Sequence, residues 1–453
     1  MMNQETYRTT PLATSKMPPG IPYIVGNEAA ERFSFYGMRG ILVIFMTKYL
    51  LDAAGKPAFM SDEEAKYYFH LFEAGAYLCS IIGGLLADAF LGKYRTIMYL
   101  SLVYCLGHVA LAADETRLGL GVGLILIAIG GGGIKPCVSA HVGDQFGSQN
   151  QHLVSRVFSW FYFAINFGAF FSIMITPSLL ENYGPRIAFG LPGVLMFLAT
   201  LVFWLGRNRY VHIPAGGWKS VQEALSPEGR RVLLNLVPLY VLIAAFWSLY
   251  DQSGSAWVLQ AEDLDRNFLG RNWLAGEVQA ANPIFILIFI PIFSYVVYPL
   301  MGRLFEVTPL RKIGVGMFLA AASFAIAAVI ESWIMKGEKP HALWQVLAIA
   351  VLTAGEILVS ITGLEFSYTQ APPRMKSFVM ALYMMSIAAG NLFTALVNKF
   401  MIRDDGTSRL HGADYYWFFA GLMVVTAVVF VIYSTFYKGR TYLQDESPAQ
   451  AGP

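Results

Sequence analysis

Charge is what this chain lacks. Of its 453 residues only 14% are Asp, Glu, Lys or Arg, while 56% are hydrophobic; soluble domains run at about 25% charged and 45–50% apolar. That balance excludes an ordinary water-soluble domain and points to an all-α membrane protein. Cysteine is scarce as well. Cys79, Cys105 and Cys137 all fall inside apolar runs without CxxC spacing, which excludes a disulfide framework and a zinc site and leaves them as small apolar fillers. The formal net charge is only +2, and no basic patch interleaved with aromatics is present, so nucleic acid is not an expected partner. The opening MMNQETYRTTPLATSK is polar and lacks the short apolar core and small-residue cleavage site of a signal peptide, so the first helix is expected to be a retained anchor. There is no HExxH and no Ser/His/Asp arrangement, and His108, His141, His152, His212, His341 and His411 are scattered at run ends or in loops. An intramembrane enzyme, a metal site and a cofactor are therefore not expected.

What the chain has instead is long apolar runs. A hydrocarbon core about 30 Å thick needs about 20 such residues per crossing, and about twelve runs qualify, near 28–51, 66–90, 95–113, 118–139, 153–179, 187–206, 232–255, 277–300, 312–334, 342–369, 377–400 and 415–437. Basic residues in short loops set orientation. Lys93/Arg95, Arg156, Arg207/Arg209/Lys219/Arg230/Arg231, Arg303/Arg311/Lys312, Arg374/Lys376 and Lys438/Arg440 alternate with the acidic loops Asp62/Glu63/Glu64, Asp114/Glu115, Glu262/Asp263/Asp265 and Asp404/Asp405. Both termini are thus expected in the cytoplasm. The longest cytoplasmic connection, 207–231, divides the chain into a tail 1–27, a bundle 28–206, the linker, a bundle 232–437 and a tail 438–453. Six helices plus six is the layout of a rocking secondary transporter.

The few charges inside these runs outline the working interior, because an ionised residue at a helix centre costs about 2.5–3.5 kcal/mol on insertion scales and faces a cavity or a partner. In NEAAERFSFYGMRG, the residues Glu28, Glu31, Arg32, Phe35, Tyr36 and Arg39 fall at helical spacing on one face. Helix two carries His70, Glu73 and Tyr77; helix four carries Lys135 in IAIGGGGIKPC, where the glycines allow close packing and Pro136 local bending. That Gly run lacks the GK[ST] ending of a phosphate loop. Lys135 is a lone cation in need of a carboxylate such as Glu31. Helix five has Asn166 as the only amide in an apolar run, whose alternative reading is interhelical glue. In the second half stand Trp247, Tyr250 and Asp251, then Asn282, then Glu356 and Glu365. Arg32 and Lys135 on one side and Glu356 on the other suit a zwitterion: a short peptide, with a free amino acid still open. Tyr36, Tyr77, Phe35, Trp247 and Tyr383 are candidates to line side-chain pockets, with ordinary packing as the alternative for each; Ser386 joins the substrate set.

Six blocks then occur in order: ExxER as Glu28, Glu31 and Arg32; GGLLADAFLGKYRTI; GDQFG; FYFAINFGAFFS; FWSLYDQSGSAW; and GEILVSITGLEFSYTQAPPRMKS. Together they resemble the proton-dependent oligopeptide transporter family of the major facilitator superfamily, over nearly the whole chain. The resemblance implies the major facilitator fold and proton-coupled uptake of di- and tripeptides by alternating access, with protons as the coupling ion and the lipid bilayer as surroundings, the chain working as a monomer; the short loops and the lack of a signal peptide suggest a bacterial inner membrane as location. It implies that Arg32, Lys135 and Asn166 hold the carboxylate end and backbone of the peptide, that Asn282 and Glu356 hold its amino end, and that Glu28 and Glu31 respond to protons with Lys135. Arg39 would pair with Asp251 as an outer gate joined by His70, and Asp88, Lys93 and Arg95 would form a conformational loop. Three departures stand out: Phe35 where many members have a second Tyr, Tyr383 where Trp is frequent, and Glu73 beside His70, here expected to tune that histidine. The linker is too short for the extra helix pair of many bacterial members, so twelve helices and no insertion are expected. The rivals are a carrier of nitrate or another small anion, disfavoured by the intact ExxER acids, a carrier of amino acids, and a peptide-binding receptor.

Overall fold

The computed structural model describes residues 7–437 apart from 148, 216, 218–221, 223–225, 305, 371–375 and 402–408. Lys219, Arg374, Asp404, Asp405, Lys438 and Arg440, used above for orientation, lie outside the described residues, as does the tail 438–453. The first helix, α1, spans Ile21–Lys48. It starts before the expected residue 28 because hydropathy marks where lipid begins, whereas the helix is opened by a proline in its first turn. Its 28 residues reach about 42 Å at 1.5 Å per residue. Then follow α2 (Asp62–Leu91), α3 (Lys93–Ala113), α4 (Arg117–Gly143), α5 (Val154–Tyr183) and α6 (Pro185–Leu205).

The second half repeats this with interruptions. Helix α7 runs Pro227–Tyr250, so it begins inside the expected linker; it breaks into a 3-10 turn at Asp251–Gly254 and resumes at Ala256–Glu262. A short antiparallel hairpin of β1 (Asn267–Phe268) and β2 (Arg271–Asn272) leads to α8 (Gly276–Leu304). The remaining helices are α9 (Pro309–Met335), α10 (Leu343–Ser367), α11 (Lys376–Met401) and α12 (Ala413–Phe436). In α10 a π-helical turn, Ile357–Ile361, follows Glu356 directly. Among the described residues α2 to α12 are eleven helices long and apolar enough to cross a membrane. Helix α1 is long enough too, and its five charged residues, Glu28, Glu31, Arg32, Arg39 and Lys48, are what set it apart.

Each half has its own apolar core. One contains Phe45, Phe69, Tyr104, Phe189 and Phe203; the other contains Phe246, Trp257, Phe324, Phe419 and Phe430. The glycines of α4 act as expected. A side-chain carbon on Gly130 would come within 2.6 Å of the Tyr104 backbone nitrogen, and one on Gly132 would collide with the Ala76 carbonyl oxygen, so α4 meets α2 and α3 at backbone distance. The helix is continuous through Pro136. Two further glycines bring the halves together: a carbon added to Gly276 would lie 2.9 Å from the Gly40 carbonyl oxygen, and one on Gly254 would lie 2.7 Å from the Phe69 ring and 3.2 Å from Arg39 Nε. The break in α7 and the head of α8 therefore press on α1, α2 and α5.

Candidate functional site

The break in α7 places an acid beside the second arginine of α1, Arg39. Arg39 Nη2 donates to Asp251 Oδ1 at 2.7 Å, a bond between the two halves. A second acid sits on the same guanidinium: Glu73 Oε1 of α2 lies 2.7 Å from Arg39 Nε, a close charge contact in which the N–H is not aligned on the oxygen. Glu73 therefore belongs to Arg39, and the expectation that it tunes His70 is corrected. One turn apart on α2, the two side chains face different neighbours: His70 Nδ1 is 2.7 Å from Asn391 Oδ1 of α11, and Nε2 is 2.9 Å from Ser255 Oγ of α7. Asn391 Nδ2 donates to Asp251 Oδ2 at 2.6 Å. The amide oxygen must then accept from His70, which puts the neutral proton on Nδ1 and makes Ser255 the donor to Nε2. If His70 takes a second proton, the Ser255 hydroxyl has only to turn round. Asn391 and Ser255 are absent from the sequence-derived set, although Asn391 carries a mark similar to that of Asn166, an amide inside an apolar stretch, shared in its helix with Asn398.

Deeper along the same face of α1, Arg32 Nε donates to Glu28 Oε1 at 2.7 Å and lies 3.1 Å from Glu31 Oε2. Both carboxylates are buried, and neither Glu31 oxygen has an aligned hydrogen bond. Lys135 does not pair with Glu31 as expected: its Nζ sits over the rings of Phe35, at 3.8 Å, and Tyr77, at 4.7 Å. The phenylalanine that replaces an expected hydroxyl thus supplies a π-face, worth about 2 kcal/mol when a cation is held away from water.

Between the halves lies a cavity of about 160 Å³, some ten times what one water requires, about 10–15 Å³. Tyr36, Arg39, Tyr162 and Asn166 line it from the first half, and Tyr250, Asn282 and Glu356 from the second. Asn282 Nδ2 is shared between Glu356 Oε2, at 2.9 Å, and Thr353 Oγ1, at 3.0 Å, which holds the carboxylate on the wall just before the π-helical turn. The Asn166 amide donates back to the Tyr162 carbonyl at 2.9 Å. The cationic wall differs from expectation, since Arg39 lines the cavity and Arg32 and Lys135 do not. Trp247, Tyr383 and Ser386 are also off the wall. Trp247 packs edge-on against Tyr250 and Tyr383 with its indole N–H unpartnered. The Tyr383 hydroxyl donates to the Ser360 carbonyl at 3.3 Å, and Ser386 Oγ donates to the Tyr383 carbonyl at 2.6 Å. Gly363 makes the room: a carbon there would lie 2.8 Å from the Tyr383 ring. Tyr162 and Tyr250 are wall residues that the charge pattern alone did not single out.

At the far end of the first half, Lys93 Nζ meets Asp144 Oδ2 at 2.7 Å, tying the α2–α3 turn to the end of α4. Asp88 is half-buried in that turn and Arg95 is exposed; Gly92, at φ 76°, reverses the chain in the left-handed region glycine adopts freely.

A profile of the POT family matches residues 94–226 and 218–418. The chain belongs to the POT family. The chain is 38% identical over 370 residues to "Peptide transporter family 1" of Drosophila melanogaster, covering 70% of this chain and 49% of that protein. It is 35% identical over 404 residues to "Solute carrier family 15 member 2" of Homo sapiens, covering 78% and 54%. It spans about half the length of the curated relatives it matches. Among solved structures, the POT family transporter PepTSo superposes with a TM-score of 0.85 at 37% identity, covering 93% of this chain and 99% of that one. An "auto inhibited POT family peptide transporter" gives 0.84 at 35% identity, covering 95% and 99%. This POT family member is accordingly an integral membrane protein with the major facilitator fold.

Proposed function

We propose that this POT family protein is a proton-coupled symporter that imports di- and tripeptides by alternating access, as a monomer in a bacterial inner membrane with both termini cytoplasmic. The observation that carries the reading is a cavity walled by both halves, apolar over much of its lining with a few polar and charged groups, with Glu356 fixed on one side and its α1–α2 end shut by Arg39 and Asp251. Relatives named as peptide transporters in Drosophila melanogaster and Caenorhabditis elegans support the substrate class. The basic α2–α3 and α8–α9 loops support an outward position for the shut end.

In this reading the peptide ammonium meets the Glu356 carboxylate held by Asn282, and Tyr36, Tyr162 and Asn166 contact the backbone. The peptide carboxylate competes with Glu28 and Glu31 for Arg32 or approaches Lys135, and protonation of either glutamate frees the arginine for it. Proton arrival at Asp251 or His70 weakens the outer gate, so proton and peptide bias one equilibrium. Asp88, Lys93 and Arg95 act in conformational change. The test is accumulation of labelled dialanine in proteoliposomes under an imposed pH gradient. Gradient-driven accumulation that Glu31→Gln abolishes while counterflow persists is the expected result. No accumulation of di- or tripeptides by the wild type, or wild-type accumulation by Glu31→Gln, would overturn it.

A further inference from the structure

Two carboxylates contact Arg39, and they belong to different halves. Asp251 is on α7; Glu73 is on α2, in the same half as Arg39 itself. Both acids are buried, at 1% exposure for Glu73 and 5% for Asp251, and the arginine is nearly so, at 12%. Phe69 covers the guanidinium at 5.4 Å, and a carbon on Gly254 would lie 3.2 Å from Arg39 Nε, so the arginine is closely packed on its gate side while it lines the cavity on the other.

When the halves part, Asp251 leaves with α7. It keeps its bond from Asn391, which is in the same half. Arg39 without Glu73 would then be a buried cation with no carboxylate, a strongly destabilising condition. We propose that Glu73 is the resident counter-ion of the gate, a positioning residue that keeps Arg39 paired when Asp251 withdraws and thereby makes the outward-open state accessible. The two contacts suit this division. The hydrogen bond of Arg39 is aligned on Asp251, while its Nε–H is close to Glu73 but not aligned, so the guanidinium has only to swing onto an acid already in contact. Charge count agrees: two acids on one guanidinium give the shut gate a surplus negative charge. Removing Glu73 balances the shut gate and unbalances the open one, and both effects favour closure.

The inference rests on the alternating-access reading, and its test needs no peptide. Cys79, Cys105 and Cys137 are replaced by Ala, Ser253→Cys is introduced in the cavity lining behind the gate, and labelling by a membrane-impermeant maleimide is timed from outside in right-side-out vesicles. Glu73→Gln is expected to slow outside labelling about tenfold or more and to speed labelling from the inside, which also shows that the variant is folded. Asp251→Asn is expected to do the reverse, and Glu73→Asp to restore most of the outside rate. If Glu73→Gln speeds outside labelling as Asp251→Asn does, Glu73 is a second bolt and the proposal falls; an unchanged rate overturns it equally. Should the wild type fail to carry peptides while these rates still diverge, the substrate reading falls and the counter-ion assignment stands.

Discussion

Replacing Asn282 by Ala addresses the cavity at its best-defined point. The amide donates to Glu356 Oε2 at 2.9 Å and is itself anchored by Thr353 Oγ1 at 3.0 Å, which in turn donates to the Ile349 carbonyl at 2.8 Å. The carboxylate is therefore held by a chain of bonds ending in the α10 backbone. A hydrogen bond to a charged group is worth about 1.5–3 kcal/mol. Losing it frees the carboxylate to rotate and raises the cost of keeping it ionised, and both effects weaken an ammonium contact. At about 1.4 kcal/mol per decade, KM for a zwitterionic dipeptide should rise from about tenfold to somewhat over a hundredfold, with the maximal counterflow rate far less affected. An N-acetylated dipeptide has no ammonium to lose, so its KM, measured in the same proteoliposomes, should move less than about threefold. Equal shifts for the free and the blocked peptide would refute the assignment of Glu356 to the amino end, as would no shift for either.

Other perturbations follow from the same geometry. Asn391→Leu removes the acceptor for His70 and the donor to Asp251; the shut gate should weaken by about 1–3 kcal/mol, read as faster outside labelling of the Ser253→Cys reporter. Lys48→Met breaks the Lys48–Glu262 ion pair at the rim, where the lysine is 50% exposed; such pairs are worth under about 1 kcal/mol, so uptake should stay within about fivefold. Gly132→Ala places a carbon against the Ala76 carbonyl and should cost about 1–3 kcal/mol or more, seen as a lower Tm in detergent. Gly121→Ala in the same helix, with nothing within 4 Å, should leave Tm unchanged or slightly raised.

Much of the architecture was legible in the chain, since a helix in lipid satisfies its own backbone and needs only apolar length to be recognised. The helix starts that differ most, at Ile21 and Pro227, differ because hydropathy records the membrane and not the helix. The site was legible as a set of improbable charges. Arg39 and Asp251 are in contact as expected, and the structure adds the contacts of Arg32 with Glu28 and of Glu356 with Asn282. The partners of Lys135, Glu73 and His70 were not legible, and neither was the burial of Trp247, Tyr383 and Ser386 inside one half.

The physical reason is the difference between a cost and a direction. Composition alone determined that each buried charge must be compensated, because desolvation penalises it wherever it lies. Which neighbour does so is settled by how helices rotate against one another, a matter of glycines such as Gly132, Gly254 and Gly363 that decide how closely backbones approach. One turn of α2 sends His70 toward Asn391 and Glu73 toward Arg39. The sequence determined that this chain crosses the membrane with charges that need partners; the tertiary structure decided that one gate arginine has a carboxylate in each half.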